Sequence, residues 1–175
     1  DFKGSLVLAE KVLEDNPVGA FSGILLYIAG RSAQFAGDYA KASKYFEMYI
    51  DKFSSGDEFN EVLFRLALVN FRQQNYSLSV ANLEKLLSQK NSEKYELSAK
   101  YWIVRGLQMS TSVKLSNLEL TNAVQSRIDE EIKYIVGKFP ISYYAFKLNA
   151  EKNNGELKWP LPEKKKKNIE GEIYL

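Results

Sequence analysis

Apolar residues recur along most of this chain at helical spacing. In residues 37–53 the turn dipeptide Gly37-Asp38 is followed by Ala42, Phe46, Tyr49, Ile50 and Phe53, which form one stripe along a helix. Sliding that stretch by 37 residues reproduces it. Tyr39 meets Tyr76 going forward and Phe2 going backward, Ala42 meets Ser79 and Ser5, Phe46 meets Leu83 and Ala9, and Tyr49 meets Leu86 and Val12. The second copy opens with Gln74-Asn75 in place of Gly-Asp, and the copy at Phe2 starts partway through a unit. Another apolar segment precedes each full copy, at 18–36 and 57–73, and residues 93–109 begin a third pair. Gly30 and Ala67 are small residues at the same offset, and Gly106 follows two residues late. This placement predicts that the two helices of each hairpin approach closely there, with Ala42 and Ser79 small on the opposing side. A hairpin cannot bury its apolar face alone, so stacking of units is required. The pattern predicts an all-α array of at least six helices, with no sheet beyond a short pairing in the tail.

The third unit departs from the pattern. After Met109, "STSVKLSNLELTN" has the composition of a loop. A long helix follows, from about Leu118 to Lys138, with Ile128, Ile132, Ile135, Val136 and Phe139 on one face. Pro140 ends that unit late, and Ser142 can cap one more helix. Tyr144, Phe146 and Leu148 would pack this helix onto the end of the stack. From Gly155 the character changes. Trp159-Pro160-Leu161-Pro162 cannot continue a helix, Lys164 to Lys167 is a charge run, and "IEGEIYL" alternates apolar and polar residues. The expected organisation is a helical repeat domain at 1–154 and an extended tail at 155–175, packed on or near it through Trp159, Ile173 and Leu175.

The repeat resembles the tetratricopeptide family. Leu26, Gly30, Gly37-Asp38-Tyr39, Ala42 and Phe46 follow that family's motif, and Leu63, Ala67, Asn75-Tyr76, Ser79 and Leu83 follow it less closely. Trp102 and Gly106 fit the first helix of a third unit, and Pro17 and Pro140 sit where units end. Ser54 and Asn91 depart from the terminal Pro, and the period exceeds the family's 34 residues. The resemblance covers roughly residues 2–152. It implies antiparallel hairpins stacked into a short right-handed superhelix, with the first helix of each unit lining a concave side. Two pieces, Ala99 to Gly106 and Phe139 to Lys152, are also similar to the superhelical region of soluble lytic transglycosylases. That enzyme's catalytic Glu-Ser dipeptide is absent from the sequence.

Charge narrows the partners. The net charge of +2 is carried by residues 157–175, where Lys158 and Lys164 to Lys167 outnumber Glu163, Glu170 and Glu172. The body is formally neutral, which argues against nucleic acid as a partner. Cys and His are absent, so thiol and imidazole chemistry are excluded and no metal site or cofactor is expected. Adjacent acidic pairs such as Asp57-Glu58 and Glu130-Glu131 point about 100° apart on a helix and do not converge on one atom. Asp57 and Glu58 fit a helix N-terminus instead. The longest apolar run, Ile24 to Ala29, is too short to span a bilayer, and membrane contact is not expected. With no initiator Met and no signal-peptide pattern, the chain reads as a mature or excised form.

The candidate site is therefore the expected concave surface. Its residues are Tyr27, Arg31, Gln34 and Phe35 in the first unit, and Glu61, Phe64, Leu68, Phe71 and Arg72 in the second. Lys100, Ile103 and Leu107 come from the third. Aromatic side chains beside Arg are the mixture enriched at binding hot spots. The expected function is a noncatalytic adaptor holding another protein or peptide segment, in the periplasm or cell envelope, with a cytoplasmic setting still open. Two alternatives are the accessory superhelix of a cell-wall lytic transglycosylase and a structural homo-oligomer. Tyr27 and Arg31 stand where some family members begin a Lys/Asn clamp for acidic C-terminal peptides, so that activity is not expected.

Overall fold

A computed structural model describes residues 1–15, 19, 21–53, 58–113 and 118–155. Of the expected tail at 155–175, residues 156–175 lie outside the described residues. Among the described residues there are eight helices: α1 (Phe2–Asp15), α2 (Ser22–Ala36), α3 (Tyr39–Lys52), α4 (Phe59–Arg72), α5 (Tyr76–Leu87), α6 (Glu96–Val113), α7 (Leu118–Lys138) and α8 (Tyr143–Lys152). A single 3-10 turn, Glu93–Tyr95, leads into α6. Among the described residues there is no strand. Each helix packs on the next in the chain. The hairpins are α2/α3, α4/α5 and α6/α7. Helix α1 is the second half of a unit, and α8 is a further first half.

The turns between paired helices follow from their sequence. Gly37 is left-handed, with φ +81°, and its N–H is donated to Gln34 O at 3.2 Å, while Asp38 N donates to Ala33 O at 2.9 Å. This closes the C-terminus of α2. The Asp38 carboxylate then accepts from Lys41 N at 3.0 Å and caps α3. The same pair of bonds recurs 37 residues on, where Gln74 N donates to Phe71 O and Asn75 N to Asn70 O. Gln74 takes the left-handed place of Gly37, at φ +64°.

Inside, Phe46, Leu26, Leu63 and Leu83 are fully buried. A Cβ added to Gly30 would lie 2.5 Å from the Phe46 ring, so this glycine lets α2 and α3 close on each other. Gly106 does a different job from the one its position suggests. A Cβ there would lie 2.7 Å from Val80 Cγ2, so Gly106 sets the approach of α6 to α5 rather than to its own hairpin partner. At the true 37-residue offset stands Val104, fully buried.

Two other expectations are corrected. Ser110 to Val113 are helical. The hydroxyl of Ser110 donates to Leu107 O at 2.8 Å, and that of Thr111 to Gln108 O at 2.8 Å, so these side chains bond to the preceding turn instead of leaving it. Phe146 remains 38% exposed, and α8 instead buries Ala145 and Leu148, with Tyr144 stacked on Tyr101 at 4.4 Å. Ser142 caps α8 by accepting from Ala145 N at 3.2 Å. Glu58 makes no side-chain cap at α4, and Asp57 lies outside the described residues.

Candidate functional site

Helices α2, α4 and α6 stand side by side, and their joints carry most of the candidate residues. Gln34, Phe35, Leu68, Phe71 and Arg72 line one cleft of ≈ 210 Å³, together with Tyr39 and Trp102. Phe71 is held edge-on by Trp102 at 4.9 Å and by Tyr76 at 5.2 Å. Phe35 is 51% exposed and stacks on Phe2 at 4.8 Å. Arg72 is exposed and makes no ion pair among the described residues. The cleft thus offers aromatic walls and one uncommitted cation.

Beside it lies a polar joint between α2 and α4. The Tyr27 hydroxyl donates to Glu61 Oε1 at 2.8 Å, and Arg65 grips the same carboxylate at 2.6 Å while donating to Gln34 at 3.3 Å. Burial, then the hydrogen bond to Glu61, raises the Tyr27 phenol above its ordinary value. Burial also pushes Glu61 upward, but the bonds from Tyr27 and Arg65 outweigh it, and its carboxyl is held below the usual range. The Arg31 guanidinium lies 5.4 Å from the Tyr27 ring and 5.7 Å from that of Phe35. Its Nε is buried without a hydrogen-bond partner. These groups join α2 to α4.

The third unit contributes less than expected. Lys100 is turned to α7, where it pairs with Glu131 at 2.8 Å and lies 4.4 Å from the Tyr134 ring. Ile103 and Leu107 are buried in the core. The residue of α6 that reaches the cleft is Trp102. At 100° per residue, Lys100 points about 200° away from it and Leu107 about 140° away. The expected residues follow the two-residue displacement of Gly106, whereas buried Val104 keeps the 37-residue offset from Ala67. Phe64 packs on Tyr95 of the 3-10 turn before α6 at 5.5 Å. Tyr39, Trp102 and Arg65 were absent from the expected site. Tyr39 and Trp102 were both legible as motif positions, but their direction follows from packing alone.

Among the described residues no group of acidic side chains could hold a metal ion, and no helix is long and apolar enough to cross a membrane. The sequence profile of the YfiO family, described as an outer membrane lipoprotein, matches residues 22–154, which is more than half of the chain. No curated protein matches.

Proposed function

This chain belongs to the YfiO family of outer membrane lipoproteins, and we propose that it is a noncatalytic adaptor that holds a segment of another envelope protein in the cleft between α2, α4 and α6. The observation that carries this reading is the clustering of Phe35, Phe71 and Trp102 around Arg72. An aromatic cleft with an uncommitted cation is suited to a partner segment that presents apolar side chains and a carboxylate. The family's envelope setting supports an envelope protein as that partner. The profile match favours neither the lytic-transglycosylase reading nor a homo-oligomer.

A photo-reactive residue in place of Arg72 tests this in cells of the source organism. The expected result is a cross-link to one envelope protein, with none from the same group at Lys44, an exposed position on α3. Equal labelling from both positions, or none from 72, would remove the cleft as the binding surface. A cross-link to a second copy of the chain would establish the homo-oligomer instead.

A further inference from the structure

The rings of the cleft belong to a longer series. Phe71 of α4 meets Trp102 of α6 at 4.9 Å, and Trp102 meets its chain neighbour Tyr101 at 5.5 Å. Tyr101 in turn stacks on Tyr144 of α8 at 4.4 Å, and Tyr144 meets Tyr143 edge-on at 5.7 Å. The geometry of α6 explains the change of direction. Trp102 and Tyr101 lie about 100° apart on the helix, so one ring faces α4 and the other faces α8. Arg105, four residues beyond Tyr101 and three beyond Trp102, falls between them on the helix surface. An aromatic path therefore crosses from the cleft to α8, and Tyr143 at its end is 70% exposed.

Two cations stand along the outer part of this path. The Arg105 guanidinium lies 5.8 Å from the Tyr101 ring and pairs with Glu151 at 2.7 Å. The Lys147 ammonium lies 5.9 Å from the Tyr143 ring, one helical turn away on the same face of α8. The hydrogen bond it donates to Tyr101 holds it above its ordinary pKa, against the opposing charge effect of Arg105 nearby. Arg105 takes Glu151, and Lys147 makes no ion pair among the described residues. The chemistry of the cleft is thus repeated on α8, with an exposed ring beside an uncommitted cation. Two helix-to-helix steps separate α8 from α4, roughly 20 Å at the usual packing distance of about 8–10 Å.

We propose that Tyr143 and Lys147 form a second station of the partner-binding surface, which takes a further carboxylate of the same protein that meets Arg72. This station rests on the cleft being the binding surface. A cation beside an exposed ring suits an acidic side chain on a segment that also carries apolar groups. The test places a photo-reactive residue at position 143, in cells of the source organism, beside the one at 72. Position 143 is expected to label the same envelope protein. With the reactive group at 72, Lys147→Glu should lower the cross-link yield at least several-fold, while Lys147→Arg keeps it. Lys133→Glu, the same charge change at an exposed position of α7, should keep it too. Replacing an Asp or Glu of the peptide labelled from 143 by Lys should restore the yield to Lys147→Glu, which also shows that this variant folds. Labelling from 72 with none from 143, or with a different protein from 143, would overturn the second station and leave the cleft standing. An unchanged yield for Lys147→Glu, or an equal loss for Lys133→Glu, would overturn it as well. Absence of labelling from 72 removes the cleft, and the second station with it.

Discussion

The first hairpin, α2 with α3, and the third, α6 with α7, share a plan but place their glycine against different neighbours. Gly30 admits the ring of Phe46 from its own hairpin, while Gly106 admits Val80 from the unit before. Helix α7 is correspondingly long at 21 residues, against 14 for α3. The difference teaches that a repeat can conserve its small residue while shifting which joint depends on it. Closeness within a hairpin holds the first unit, and closeness between hairpins holds the third.

The largest effect should come from the residue that fills the first joint. Phe46→Ala removes a ring with no solvent exposure, and a loss of roughly 3–5 kcal/mol is expected in denaturant unfolding. A loss below about 1 kcal/mol would mean that α2 and α3 are not packed through Gly30.

The two glycines come next. Gly30→Ala and Gly106→Ala should each cost about 1–3 kcal/mol through overpacking. The comparison predicts opposite responses to a second change. Val80→Ala should restore stability to Gly106→Ala and leave Gly30→Ala unimproved, as read from their melting temperatures. If Val80→Ala rescues neither, Gly106 does not set the α5/α6 approach.

Smaller effects separate the first unit from the second. Ser79 stands where the first unit has Ala42, and its Oγ is buried without a hydrogen-bond partner. Ser79→Ala should stabilise the protein by about 1 kcal/mol. Gln74 holds the left-handed place of Gly37, so Gln74→Gly should stabilise by up to about 1 kcal/mol by relieving backbone strain. A destabilisation in either case would show that the second unit does not use the geometry of the first.

Much of this architecture was legible in the sequence because it rests on local rules. The 37-residue offset, the Gly37-Asp38 turn, the Ser142 cap and the bounds of α7 all follow from periodicity and capping. The site was legible where the offset held. Gln34-Phe35 and Phe71-Arg72 are equivalent positions, and they line one cleft. It failed in the third unit, where the reading follows Gly106 two residues past the offset, and two residues reverse the face of a helix. That displacement assigns Lys100 to the cleft in place of Trp102. The role of Gly106 was misread in the same region, since only packing shows which neighbour a small residue admits. Arg31, expected on the concave surface, lies partly buried beside Tyr27 and Phe35 and is tied to the α2/α4 joint.

The most direct test of the central claim, that the cleft is the binding surface, uses its two most exposed residues together. Phe35→Ala with Arg72→Glu removes one aromatic wall and reverses the uncommitted cation, with no change to Arg31 or Glu61. The quantity to measure is the affinity for the protein that cross-links at position 72, alongside the melting temperature. The account predicts binding weakened at least several-fold, with stability lowered by no more than about 1–2 kcal/mol for the lost ring contact and the surface charge. A double variant that folds normally and binds with unchanged affinity would contradict it.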